Sequence, residues 1–282
     1  MSRAMTGELE LTVLRDAGDE IGYVASFALT DQLLVVTGGT SSRHPFVRAS
    51  SNGRHFEPMT TPRDLGLRDV LADGDTLWVC GEYGQLACSR DGGRTWKQLD
   101  TGSDACLFAL ALAPDGAIWV VGERGYAGRV VGERTSLLDF GTTARLASVH
   151  VVGNDVVVLG GDGNVYRWRE GGVTATATGA TKPLTSLVVT KTGTWVLTGD
   201  GGFIARSPDG QWFSRVKSGV EVDLEAVGTV ADGRVVAVGD RGIVLVSADD
   251  GRTWKPLETN VTAHLWSIER FGGGVLVGGD DG

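Results

Sequence analysis

Seven short hydrophobic strings, each ending in glycine, recur along the chain: LLVVTG to Gly38, TLWVCG to Gly81, AIWVVG to Gly122, DVVVLG to Gly160, TWVLTG to Gly199, RVVAVG to Gly239 and VLVG to Gly278. Neighbouring glycines lie 38 to 43 residues apart, so seven units account for the 282 residues. Upstream of each string sits a second strand candidate: VASFAL, LRDVLA, LFALAL, LASVHV, LTSLVV, LEAVGT and LWSIER. Turn residues such as ADGD, APDG and VADG separate the two, so each pair reads as a hairpin. After each glycine a tight turn (GEYG, GERG, GGDG, GDGG, GDRG) leads into a third apolar string, and a polar hairpin into a fourth. A unit of about 40 residues with four short strands is the arithmetic of a β-propeller blade. Helical repeats need longer runs at 3.6 periodicity, and none is present.

The expected fold is therefore all-β, a single seven-bladed β-propeller of four-stranded antiparallel blades over residues 1–282. The blades fall at about 19–62, 63–102, 103–143, 144–182, 183–221, 222–261, and 262–282 joined by 1–18. The last unit supplies only two strands, so closure of the ring is expected from N-terminal strand or strands at Glu8–Leu14 and Ser2–Met5 pairing with the C-terminal blade.

Composition excludes several classes. Glycine, at 43 of 282, is about twice its usual share, but only 7 prolines accompany it and 41% of residues are hydrophobic, so the chain folds. A net charge of −9 argues against general nucleic-acid binding. The N-terminus lacks the apolar run of a signal peptide, and every apolar run is broken within a few residues; a cytoplasmic protein with no membrane insertion is the expectation. Cys80, Cys88 and Cys106 lack metal-ligand spacing and read as small buried hydrophobes.

Ser89, Asp91, Gly93, Thr95 and Trp96, and again Ser247, Asp249, Gly251, Thr253 and Trp254, match the Asp-box (BNR) pattern S-x-D-x-G-x-T-W. SPDGQWF at 207–213 and SSNGRHF at 50–56 are shortened versions. The fused strings GEYGQLACSRDGGRTW and GDRGIVLVSADDGRTW resemble the repeat of the Ycf48-like photosystem II assembly factors and their bacterial relatives. That resemblance implies a propeller that helps assemble protein complexes, although such relatives are typically exported. The Asp-box residues themselves read as structural: Ser and Asp bond turn backbone, Gly supplies a positive φ and Trp packs between sheets.

Strand alternation puts the second-to-third turns on the same face as the connections between blades, with the Asp-box hairpins on the other. On the first face Glu82, Glu123, Asp162, Asp200, Asp240 and Asp280 form an expected acidic ring beside the channel, with Tyr83, Arg124 and Arg241 next to them; acidic residues also simply suit exposed turns. The window holding Arg43, His44, Arg48, Arg54, His55, Arg63 and Arg68, against Glu57 and Asp64, is locally basic and is the expected protein-docking patch.

Asp boxes also occur in sialidases, which need an arginine triad, a tyrosine activated by glutamate and a proton-transfer acid. No such arrangement appears around Tyr23, Tyr83, Tyr126 or Tyr166, and His44, His55, His150 and His264 lie in unrelated contexts. The sequence thus reads as a non-catalytic protein-binding scaffold without cofactor or metal, with a glycan-binding or sialidase-like hydrolase propeller as the alternative. The two differ at the channel mouth. A glycan site presents exposed aromatics with clustered carboxylates, whereas a docking surface is a flat charged or apolar patch.

Overall fold

The computed structural model describes residues 22–41, 44–170 and 172–280. Blade 1 holds β1 (Tyr23–Leu29), β2 (Leu34–Ser41), β3 (His44–Ser50) and β4 (Glu57–Met59); blade 2 holds β5 (Leu67–Asp73), β6 (Thr76–Gly81), β7 (Leu86–Ser89) and β8 (Lys97–Gln98). Blade 3 comprises β9 (Leu107–Leu112), β10 (Ile118–Gly122), β11 (Ala127–Val131) and β12 (Arg134–Leu137); blade 4, β13 (Leu146–Val152), β14 (Asp155–Gly160), β15 (Asn164–Arg169) and β16 (Gly172–Ala177). In blade 5 are β17 (Leu184–Val189), β18 (Trp195–Gly199), β19 (Phe203–Ser207) and β20 (Ser214–Val216), and in blade 6, β21 (Leu224–Thr229), β22 (Val235–Gly239), β23 (Val244–Ser247) and β24 (Lys255–Pro256). A two-stranded sheet, β25 (Leu265–Phe271) with β26 (Gly274–Gly279), completes the described residues.

The all-β propeller stands, but the expectation of seven four-stranded blades does not: the described residues form six blades of four strands and one two-stranded sheet. The seventh blade was expected to add N-terminal strands to the two strands of the last unit, and among the described residues that unit is a hairpin alone. The closing strands expected at Ser2–Met5 and Glu8–Leu14 lie outside the described residues.

Each sheet touches the next through its first strand, from β1 against β5 round to β25 against β1, so the first strands line the channel. The core lies between neighbouring sheets. Trp78, Cys80 and Leu86 of blade 2 pack with Leu107, Leu110 and Ile118 of blade 3, and the pattern repeats round the ring. Cys80 and Cys88 are buried and Cys106 is half-buried; all three are free thiols.

Asp69 on β5 joins three blades at the channel wall. Its carboxylate accepts the Ser26 hydroxyl at 2.5 Å and the Val70 N–H at 2.9 Å on one oxygen, and the Leu110 N–H of blade 3 at 2.7 Å on the other. Burial pushes its pKa up to about 6 against the pull of those three bonds. His150, on β13, is pushed down to about 4 by burial, so its ring is neutral at pH 7.

On the face opposite the second-to-third turns, the two full S-x-D-x-G-x-T-W segments are self-bonded turns. The Ser89 and Ser247 hydroxyls each take the N–H of Gly93 or Gly251 at 2.8 Å, and the two glycines sit at φ 80° and 76°. Asp91 takes the Thr95 hydroxyl at 2.6 Å and its N–H at 2.9 Å; Asp249 takes those of Thr253 at 2.7 and 2.9 Å. Trp96 reaches back to the preceding blade, its indole N–H bonding the Thr60 carbonyl at 2.9 Å, whereas Trp254 bonds Gly251 within its own hairpin. The Thr95 bonds hold the Asp91 pKa down at about 2; at Asp249 a slight burial works the other way but is outweighed by Thr253, again to about 2. Folding therefore favours both ionised forms, and their contribution is present above about pH 4 and lost as pH falls toward 2. A double Asp91→Asn, Asp249→Asn variant is expected to be less stable at pH 7 and to lose part of the wild type's stability change between pH 4 and 2, measured by urea unfolding at each pH.

Candidate functional site

Every first strand carries a bulge one residue after its first buried aliphatic residue. The ladder skips Ala25, Arg68, Phe108, Ala147, Thr185, Glu225 and Trp266 in turn. A bulge adds a residue to one strand and re-aims its side chain. At the larger positions the contacts place these side chains at the end of the channel that carries the second-to-third turns. Arg68 pairs with Glu82 at 2.9 Å, Trp266 donates its indole N–H to Asp280 at 2.9 Å, and Phe108 lies under the Arg145 guanidinium at 5.1 Å.

The mouth carries charges of both signs. On one side stand Arg68, Phe108 and Arg145, with Glu82, Glu123 and Asp162 on the turns beside them. On the other, single carboxylate oxygens of Asp200, Asp223 and Glu225 lie within 4.8 Å of one another, a spacing at which they could share a hard cation. Only Asp200 of this trio was part of the expected ring; Asp223 and Glu225 come from the connection and the bulge. Burial, then Asp200 and Asp240, push the Glu225 carboxyl up to about 7, with Arg145 pulling the other way. Next to them His264 bonds Asp240 at 2.5 Å and stacks on Trp266 at 5.6 Å, and Asp240 raises its pKa. Beside Asp200 a cavity of about 830 Å³ opens between blade connections, lined by Lys182, Phe203, Arg215, Lys217 and Glu221.

Three turns share one geometry. Glu82-Tyr83-Gly84, Glu123-Arg124-Gly125 and Asp240-Arg241-Gly242 are single 3₁₀ turns whose middle residue is left-handed, at φ 53°, 55° and 57°. Each acidic N–H bonds the carbonyl that precedes its own first strand: Glu82 to Gly66, Glu123 to Cys106, Asp240 to Asp223. Tyr83, Arg124 and Arg241 project outward and are exposed, Tyr83 at 68%. Arg124 pairs with Asp104 in the connection beside it.

The basic window is spread over the blade. Arg43 lies outside the described residues. His44 and Arg48 are on β3, with the Arg48 guanidinium 5.0 Å from the Phe46 ring. Arg54 and His55 sit in the third-to-fourth hairpin, where Asn52 takes their N–H groups at 2.8 and 3.1 Å, on the opposite face. Of the described arginines in this window, Arg68 stands at the mouth, and Arg63 lies in the connection that leads from β4 to β5. The aromatic bulge residues Phe108 and Trp266, and Arg145 ahead of β13, were not singled out from sequence; for the two aromatics the column following the first leucine of each unit (LRD, LFA, LAS, LTS, LEA, LWS) carries the signal.

Fold and mouth together define a β-propeller with a polar channel mouth that carries charges of both signs. No protein-family model matches the sequence, and no curated protein matches it. Among solved structures it is similar to YCF48 bound to D1 peptide (TM-score 0.76, 16% identity, covering 96% of this chain and 95% of that one). It is likewise similar to YCF48 from Cyanidioschyzon merolae (0.74, 20%, 93% and 94%). A catalytically inactive virginiamycin B lyase from Staphylococcus aureus with quinupristin aligns at TM-score 0.84 with 10% identity, over 95% of each chain. At these identities the likeness establishes the fold. Among the described residues no helix is long and apolar enough to cross a membrane.

Proposed function

We propose that the chain is a non-catalytic protein-binding scaffold that engages its partner through the face carrying the second-to-third turns, with Tyr83, Arg124 and Arg241 as anchors and Arg63, Arg68, Glu82, Glu123 and Asp240 around them. The observation that carries this reading is the backbone at the three tips. A left-handed conformation costs a residue with a side chain about 1–2 kcal/mol, and blade 5 meets the same requirement with Gly201 at φ 69°. Bulky residues held at such positions mark sites where strain serves a purpose, and Tyr and Arg are the residue types that dominate binding energy at interfaces. A similar propeller described as bound to a peptide supports the same use of the scaffold.

The test separates binding from stability. Changing Tyr83, Arg124 and Arg241 together to glycine relieves the backbone, so the variant is expected to unfold at higher urea, by up to about 1 kcal/mol per site. It should at the same time lose the partner that the wild type captures from native extract. Arg94→Ala with Arg252→Ala on the opposite face should keep it. Capture that survives the glycine changes would overturn the assignment.

A glycan ligand or hydrolase is the second reading, favoured by Trp266, 39% exposed, beside Asp240, Asp280 and Glu225. This is the aromatic-with-carboxylates arrangement set out above for such a site. Glycan arrays and glycosidase assays on wild type and Trp266→Ala decide it, since only that reading expects a signal lost in the variant.

A further inference from the structure

The outer strands of the blades differ in a way the mouth does not explain. An outermost strand exposes unpaired backbone groups, and proteins blunt such edges by shortness, charge or proline. Five of the six four-stranded blades do so. Their edges are β4 with Glu57 and Pro58, two-residue β8 with Lys97, β12 headed by Arg134, three-residue β20 with Arg215 at its centre, and two-residue β24, Lys255-Pro256. Blade 4 ends in β16, Gly-Val-Thr-Ala-Thr-Ala, six residues without charge or proline, paired along its whole length with β15.

The hydrogen-bond phase of this edge follows from its last bond. The Thr178 N–H reaches the Gly163 carbonyl at 3.3 Å, and in an antiparallel ladder inward-bonded residues alternate. Thr176, Thr174 and Gly172 therefore bond β15, while Val173, Ala175 and Ala177 direct their N–H and C=O groups outward. Thr174, Ala175 and Ala177 are exposed.

We propose that this edge is a self-association surface, through which two copies of the chain pair antiparallel about a twofold axis at Ala175. The register is self-complementary. Ala175 meets Ala175 of the second copy and Val173 meets Ala177, all outward-bonding residues, so about six backbone hydrogen bonds form. On the other side of the strand Thr174 falls opposite Thr176 of the second copy, a favourable cross-strand pair. No charge opposes the pairing. A registration about Thr174 or Thr176 instead would set inward-bonding residues at the axis and shorten the ladder.

One six-residue edge is about 20 Å long and buries less area than a permanent dimer usually does, so the pairing is weak and is sought at protein concentrations of about 10–300 μM. Sedimentation velocity across that range should show the weight-average mass rising from 29.6 kDa toward twice that value. Ala175→Pro removes an outward N–H and leaves the β15 ladder intact; Ala175→Lys sets two like charges face to face. Both are expected to stay monomeric throughout with the wild-type circular dichroism spectrum, and the lysine variant keeps the test valid if the proline one misfolds. A wild type that is monomeric across the range overturns the proposal, as does association untouched by both changes. Capture of a foreign extended peptide at this edge by a monomeric wild type would overturn it too, in favour of a different occupant.

Discussion

Gly84→Ala is expected to lower stability by about 2–5 kcal/mol, whereas Gly92→Ala, at the same φ of 67°, should cost only about 1–2. The two share the left-handed penalty and differ in space. A Cβ on Gly84 would stand 1.9 Å from the Ser103 carbonyl oxygen, while one on Gly92 meets nothing within 4 Å. Ser103 cannot simply move aside, because Gly84 donates its N–H to Ala105 at 2.8 Å and accepts the Thr101 hydroxyl at 3.0 Å. That turn is the seam between blades 2 and 3. Urea denaturation of both variants measures the difference directly; equal losses would mean that the seam gives way freely.

Asp69→Ala is the second large effect. It strips the Ser26 hydroxyl and the Val70 and Leu110 N–H groups of one shared acceptor, and each buried donor left unsatisfied costs about 1–3 kcal/mol. Some of that loss is offset, because a carboxylate raised to about pH 6 is itself costly to bury. A net destabilisation of about 3 kcal/mol is expected. The sign with pH is distinctive: folding favours the protonated acid, so the Asp69 contribution is greatest below about pH 4 and declines as pH rises to 6, opposite to Asp91 and Asp249. Asp69→Asn should remove that slope while still losing the Leu110 bond, since one amide oxygen cannot serve both sides. A slope retained in the asparagine variant would assign it to another group, such as Glu269, which burial also raises.

Both effects trace to features of different visibility. The glycine spacing was plain in the sequence because a Cβ at Gly38, Gly81, Gly122, Gly199 or Gly239 would meet a backbone oxygen within 2.6 Å, and at Gly160 and Gly278 side chains crowd the same place. The self-bonded hairpins were equally plain, since their bonds lie within five residues. Asp69 was not: its partners Ser26 and Leu110 are 43 and 41 positions away, and adjacency across blades leaves no local signature. The basic window illustrates the converse. Four strands carry the chain from face to face roughly every ten residues, so Arg54 and Arg68 are close in sequence and on opposite faces of the ring. The mouth residues Phe108, Glu225 and Trp266 escaped because alternation assigns a strand residue to one sheet face or the other, whereas a bulge interrupts that alternation. The seventh four-stranded blade rested on something else, a partnership between the two ends of the chain, and the described residues of the last unit form a hairpin alone.

The claim that the mouth face binds the partner is tested most directly by photo-crosslinking. Tyr83, on a mouth turn, and Trp212, in the opposite-face hairpin of blade 5, are both exposed aromatics, at 68% and 57%, and each can be replaced by a benzophenone amino acid. Irradiation in native extract is expected to give a discrete adduct from position 83 and none from position 212. An adduct from 212 alone, or the same adduct from both, would contradict the account.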